Sequence, residues 1–200
     1  MAFNADAAPR GPWQLGPRAV LIPVKDFSVA KLRLAPALPP AERAILARVM
    51  AQRVIAAAHH VPVAVVCDDT VVADWARGLG ALVVWAPERG LNHAVQDGVR
   101  QLAQLGVTHV TVAHADLPLA DDLTWVGEWP GVTLVPDRRR DGTTVIGVPT
   151  DCGFVFSYGP GSFDRHRAEA ERLGLAYRVV DSPALSWDVD LPADLNLLAG

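Results

Sequence analysis

The chain is poor in cysteine, in lysine and in net positive charge. Cys67 and Cys152 are its two cysteines, and their spacing fits neither a zinc site nor a Cys-x-x-Cys redox pair. Both read as small buried thiols, which makes a reducing, cytoplasmic setting the expectation. A formal net charge of -4 leaves no surplus of cations to displace counterions along a nucleic-acid backbone, so a nucleic-acid partner is not expected and an anionic ligand must be met locally. No apolar run approaches the roughly 20 residues that span a bilayer, so no membrane association is expected either. The chain also lacks a Gly-x-x-x-x-Gly-Lys-Ser/Thr loop, a Gly-x-Gly-x-x-Gly turn after its first strand and a Gly-x-Ser-x-Gly elbow. Ordinary ATPases, dinucleotide dehydrogenases and serine hydrolases are disfavoured accordingly.

What is present fits one domain. Two hundred residues, 50% hydrophobic and 20% charged, supply one sizeable core and not two. Residues 1–17 hold several Pro and Gly with no basic start and no apolar stretch, and read as a flexible tail rather than a signal peptide; residues 18–200 form the domain. Val- and Ile-rich runs alternate with segments of helical period, the rhythm of crossover units and a largely parallel sheet. Strands are expected at 18–24, 62–67, 82–85, 108–113, 132–135, 144–148, 154–156 and 176–180. Helices are expected from Pro39-Pro40 through 58, then at 71–79, 92–105, 162–173 and 192–198. In the first of these Ile45, Leu46, Val49, Met50 and Ile55 recur on one face. Residues 108–113 are the most continuous β-branched run and belong near the centre of the sheet. The fold class is therefore α/β, with a mostly parallel central sheet between helices on both faces.

Two lysines stand among 18 basic residues, and both follow the first strand, in Ile22-Pro-Val-Lys25 and Ala30-Lys31. Lysine is a compact charge on a flexible stem, suited to phosphate oxygens that move during a reaction, whereas arginine imposes a fixed fork. The pair points to a phosphate site; the competing reading is a solvated basic loop. In open α/β sheets ligands bind beyond the carboxyl ends of strands, where His114-Ala-Asp-Leu-Pro118 places Asp116, suited to a divalent metal or to capping the next turn. In Asp188-Val-Asp190 the two carboxylates project to one side of an extended stretch, which is unfavourable unless a cation lies between them. Asp194 follows Pro192 in the first turn of the last helix and reads as structural. Tyr158-Gly-Pro-Gly-Ser162 turns into a helix with Ser162 as its N-cap, a candidate anion site. Asp141-Gly-Thr-Thr144 is a turn with two hydroxyl donors. Arg138, Arg139 and Arg140 read as solvated charges, with a phosphate contact from one of them as the alternative, His59 and His60 as a helix end, and His114 as packing beside Asp116.

Pro23-Val24-Lys25 with Ala30-Lys31-x-Arg33-Leu34, then Gly90-Leu-Asn-His-Ala94, His114-Ala-Asp-Leu-Pro118, Pro136-Asp137 through Gly142-Thr143, Tyr158-Gly-x-Gly-Ser-Phe-x-x-His166 and Asp188-Val-Asp-x-Pro-x-Asp-Leu195 occur in this order. Taken together the chain resembles the phospholactate or phosphoenolpyruvate guanylyltransferases of coenzyme F420 biosynthesis, relatives of the molybdenum-cofactor nucleotidyltransferases, over residues 18–198. The resemblance implies a nucleotidyltransferase fold of Rossmann-like type and transfer of GMP from GTP to the phosphate of phosphoenolpyruvate, 2-phospholactate or 3-phosphoglycerate. It implies that Pro23, Val24, Lys25, Lys31, Arg33, Asn92 and Asp116 surround the nucleotide, with Lys25, Lys31 and Asp116 catalytic. It implies that Asp116, Asp188 and Asp190 hold Mg²⁺, and that Thr143, Thr144, Gly159, Gly161 and Ser162 receive the acceptor. A homodimer and hand-off to the next transferase of the pathway are compatible with it. Two departures stand out. Leu191 replaces a threonine, removing an N-cap worth about 1 kcal/mol, and Asp141-Gly-Thr-Thr144 differs where acceptor choice is set. The alternatives are another cofactor- or sugar-directed nucleotidyltransferase, such as a cytidylyltransferase, and a non-catalytic nucleotide-binding scaffold.

Overall fold

The first strand decides the layering. In β1 (Arg18–Pro23) the side chains alternate, so Val20 and Ile22 enter one apolar cluster and Ala19 and Leu21 the other. The computed structural model describes residues 15–87 and 90–197; most of the expected N-terminal tail, residues 1–14, lies outside them. The remaining elements are α1 (Pro40–Ala56), β2 (Val63–Cys67), α2 (Thr70–Gly78), β3 (Leu82–Trp85), α3 (Leu91–Gln104), β4 (His109–Ala113), β5 (Val132–Pro136), β6 (Thr143–Pro149), α4 (Ser162–Arg172) and β7 (Tyr177–Val179). They build one seven-stranded sheet in the order β3-β2-β1-β4-β6-β5-β7. Helices α1 and α2 pack with Val20 and Ile22, and α3 and α4 pack on the opposite face. This is the expected three-layer α/β arrangement.

β4 is the middle strand, buried along its whole length. Every pairing is parallel except those of β6, which runs antiparallel to both β4 and β5. The chain leaves β1 toward one edge of the sheet and β4 toward the other. The carboxyl ends of these neighbours therefore form the switch-point crevice where ligands of such sheets bind.

Local signals explain the element ends. Pro40 opens α1 as its first residue. The Asp69 carboxylate accepts the Val72 N–H at 2.9 Å and caps α2. Gly106, at φ +90°, follows α3 in the left-handed region.

Three expectations are corrected. Residues 154–156 are not a strand: their backbone groups are satisfied by side chains of α3 and α4 instead of by a neighbouring strand. Val155 N–H donates to Glu169, Phe156 N–H to Gln96 and Ser157 N–H to His166, while Gln96 donates to the Phe154 carbonyl. The expected helix at 192–198 is a 3-10 segment, Pro192–Leu197, with residue 198 outside the described residues. In α1 the buried stripe is Ala47, Met50, Ala51 and Val54, while Ile45 and Val49 are exposed. Ala47 and Ala51 let α1 lie close on the sheet, and that contact, completed by Met50 and Val54, leaves Ile45 and Val49 pointing outward.

Candidate active site

Beyond β1 the backbone stays tied to the sheet for one more residue, with Val24 N–H donating to the Val66 carbonyl at 3.0 Å. Asp26 then accepts Ser28 N–H at 2.8 Å and caps a single 3-10 turn, Phe27–Val29. Lys31 follows in the left-handed region, φ 54° and ψ 40°, where an L-residue costs roughly 1–2 kcal/mol. From there its ammonium contacts Asp116 Oδ2 and lies 3.2 Å from Asp190 Oδ1. Arg33 approaches the other oxygen of Asp190 at 3.4 Å.

Asp116 arrives from the loop after β4, and a hydrogen bond of 3.3 Å from Val189 N–H to the Asp116 carbonyl draws the third acidic segment alongside. Val189 is fully buried with Leu34 and Met50, so in this extended stretch Asp188 and Asp190 both face the cleft. Behind them Asp194, 4% exposed, accepts the N–H groups of Asp190 and Leu191 at 3.0 and 2.7 Å and takes Arg138 at 2.6 Å. The carboxylate of Asp194 thus caps the turn for which Leu191 has no hydroxyl. Arg138 also stacks 3.4 Å above Trp187, and Arg140 pairs with Asp181 at 2.5 Å. Arg138 is therefore structural, while Arg139 and Arg140 are more than half exposed, as expected of solvated charges.

The charges push one another in opposite directions. Burial pulls the Lys31 ammonium down, but Asp116 and Asp190 outweigh it and hold it above its usual range. Burial likewise pushes Asp116 up, and Lys31 followed by His114 hold it below the carboxylate range. Asp188 has no such partner: burial, then the charges of Asp116 and Asp190, raise it. Asp116 Oδ1 is buried without a hydrogen-bond partner.

The resulting cleft, of about 590 Å³, is lined by Pro23, Val24, Lys25, Lys31, Arg33, His114, Asp116, Asp188 and Asp190 together with apolar groups. That size suits a small-molecule ligand. Lys25 is exposed at its wall, with no ion pair among the described residues. Asp68, directly after β2, also lines the cleft; the strand-end rule that picked out Asp116 applies to it equally. No group of three or more His, Cys, Asp or Glu side chains among the described residues is drawn together as a metal cage. Asp116, Asp188 and Asp190 nevertheless line one cleft as hard oxygen donors of the kind a divalent ion takes, and Asp116 Oδ1 is without a partner, while the Lys31 ammonium bridges Asp116 and Asp190.

The second group of predicted residues gathers elsewhere. Ser162 is the first residue of α4 rather than its cap, which is Gly161 at φ 71°. The Ser162 hydroxyl accepts Thr143 N–H at 3.1 Å, and Thr144 donates its hydroxyl to the Val135 carbonyl at 3.2 Å. His166 accepts Ser157 N–H through Nε2, so its Nδ1–H donates to the Thr143 hydroxyl at 3.0 Å. Gly161 N–H donates to Asp141 Oδ1 at 3.0 Å. Thr143, Thr144 and Ser162 are therefore buried and internally bonded, and do not line the cleft. Gly159, at φ 118°, shares their loop. This loop meets the cleft through Tyr158, whose ring lies 5.2 Å from that of His114. Asn92, in the first turn of α3, bonds to the Tyr158 backbone.

The doubly wound sheet with its ligand crevice at the switch point is the fold of solved nucleotidyltransferases. A nucleotidyl transfer enzyme from Methanothermobacter superposes with a TM-score of 0.64 at 15% identity, over 90% of this chain and 95% of that one. Residues 18–199 match the family model described as guanylyl transferase CofC like, and the chain belongs to that family. Two relatives carry the name phosphoenolpyruvate guanylyltransferase. The one from Rubrobacter xylanophilus is 36% identical over 187 residues, covering 89% of this chain and 91% of its own. The one from Sphaerobacter thermophilus is 34% identical over 189 residues, covering 90% and 91%.

Proposed function

We propose that the protein transfers GMP from GTP to the phosphate of a small phosphorylated carboxylic acid, releasing pyrophosphate, in coenzyme F420 biosynthesis. The names of its relatives favour phosphoenolpyruvate as acceptor, with 2-phospholactate and 3-phosphoglycerate as the alternatives. The observation that carries this reading is the meeting of Lys31 with Asp116 and Asp190 at the switch point, in a cleft that Lys25 also lines.

In the reaction an oxygen of the acceptor phosphate attacks the α-phosphorus of GTP, the bond from that phosphorus to the bridging oxygen of the β-phosphate breaks, and the electron pair leaves with pyrophosphate. The nucleophile is already an anion near neutral pH, so no side chain must remove a proton. The work left to the protein is alignment and neutralisation of two mutually repelling phosphates. Lys25, Lys31 and Arg33 would face the triphosphate, with Pro23 and Val24 shaping the wall beneath it. Asp116, Asp188 and Asp190 would hold Mg²⁺, which when bound supplies charge neutralisation at the transferring phosphoryl group. Thr143, Thr144, Gly159, Gly161 and Ser162 would frame the acceptor through the shape of their loop, because their hydroxyls already serve internal bonds.

The test is a panel in which the protein meets each nucleoside triphosphate, Mg²⁺ and each of the three acids, with pyrophosphate as the readout. Release with GTP and phosphoenolpyruvate is expected. Release only with CTP, or with none of the three acids, contradicts the proposal.

A further inference from the structure

Asn92 sits beside Leu91 and Ala94, which line the cleft, yet its own amide is committed elsewhere. Its carbonyl oxygen accepts Tyr158 N–H at 2.6 Å and its amino group donates to the Tyr158 carbonyl at 3.4 Å. One helical turn later Gln96 repeats the pattern, accepting Phe156 N–H at 3.4 Å and donating to the Phe154 carbonyl at 3.2 Å. Residues four apart share a helix face, so α3 holds the segment 154–158 with two amide clasps.

The clasps differ in what lies beyond them. Gln96 grips Phe154 and Phe156, whose rings lie in the same core cluster as that of Tyr158, and no turn follows directly from its grip. Asn92 grips the residue that precedes Gly159 and Gly161, the two positive-φ positions through which the chain turns into α4. Tyr158 also abuts His114 at the cleft wall.

We propose that Asn92 is a positioning residue for the acceptor, acting through the Tyr158 backbone, and is not a nucleotide contact. Helix α3 then carries one wall of the nucleotide cleft at Leu91 and Ala94 and, through Asn92, fixes the loop on the acceptor side. This inference rests on the proposed function for the identity of the two ligands, and on the geometry alone for the clasp.

The test compares Asn92→Ala, Asn92→Asp and Gln96→Ala in the full chain. It reads GTP and phosphoenolpyruvate affinities by calorimetry, KM and kcat by pyrophosphate release, and amide hydrogen exchange of residues 158–162. Loss of one clasp should raise the KM and Kd for phosphoenolpyruvate roughly tenfold in Asn92→Ala, leave GTP affinity within about twofold, and speed exchange across the loop. Asn92→Asp keeps the acceptor of the 2.6 Å bond and should recover most of the loss. Gln96→Ala should lower the melting temperature without changing the acceptor KM. A fall in GTP affinity with an unchanged acceptor KM overturns the proposal, as does a variant that loses only thermal stability. If the wild-type protein releases no pyrophosphate from GTP and phosphoenolpyruvate, the functional reading fails separately. The clasp is then judged by exchange alone: faster exchange in Asn92→Ala upholds it, and unchanged exchange overturns it.

Discussion

Lys31 and Asp116 are 85 positions apart in the chain and in direct contact in the fold. The adjacency of β1 and β4 brings their loops together, and the left-handed backbone of Lys31 turns its side chain toward the carboxylate. Both groups are largely buried, with side-chain exposures of 10% and 22%. Removing one member leaves the other uncompensated. Lys31→Ala is expected to cost about 1–3 kcal/mol of stability, the scale of leaving a partly buried acceptor unsatisfied, and most of the activity. Lys31→Arg should recover little, because a planar fork does not replace a point charge between two carboxylates. Urea melts and pyrophosphate release on the two variants check this.

Lys25 provides the contrast. It is exposed and unpaired among the described residues, so Lys25→Ala should leave the melting temperature nearly unchanged. Its kcat/KM for GTP should nonetheless fall about tenfold or more, the scale of losing one charge from a transition-state contact. A variant with full activity would remove Lys25 from the phosphate site.

Asp188 is a stability cost in the ligand-free protein, since burial and two neighbouring carboxylates raise it. A raised acid is destabilising when ionised, and the penalty lessens as pH falls and the group takes up a proton. Asp188→Asn is expected to stabilise the Mg²⁺-free protein by about 1 kcal/mol, or roughly 2–4 °C in melting temperature for a domain of this size. The same substitution should abolish pyrophosphate release. Calorimetry in the presence of a chelator, paired with the activity assay, reads both effects.

His166 sets a pH limit on the fold. Burial, followed by the charges of Arg165 and His114, lowers it to about 4, and it is fully buried. In the unfolded chain it titrates near 6.5. The unfolded state therefore binds the proton first as pH falls, and the stability present above about pH 6.5 is lost progressively down to about pH 4, up to ~3 kcal/mol in total. The urea midpoint should drop across this window. In His166→Gln that part of the slope should vanish, leaving the contribution of the carboxylates.

Gly147 lies in β6 where an added Cβ would stand 2.9 Å from the Val126 carbonyl oxygen. The obstacle is backbone and cannot rotate away. Gly147→Ala should destabilise by about 1–3 kcal/mol, measured by thermal melting, with no change in the KM for GTP in the protein that remains folded.

Period-two alternation made part of this site readable in the sequence. It placed Asp188 and Asp190 on one side of Val189, and the strand-end rule singled out Asp116. The scarcity of lysine marked Lys25 and Lys31. The reversed direction of β6 was not readable, because hydrophobic runs record burial and not strand sense. Residues 154–156 were misread for a related reason: an extended apolar segment looks the same whether its backbone bonds go to a strand or to Gln96, His166 and Glu169. The internal commitments of Thr143, Thr144 and Ser162 depend on His166 and Val135, partners that spacing does not reveal.

The proposed chemistry requires that Asp116 and Asp188 share one cation against a nucleotide held by the lysines. Anomalous diffraction from crystals grown with Mn²⁺ and GTP tests this directly. The predicted map places the manganese between the two carboxylates, with the triphosphate beside Lys25 and Lys31; manganese or nucleotide bound away from both aspartates would contradict it.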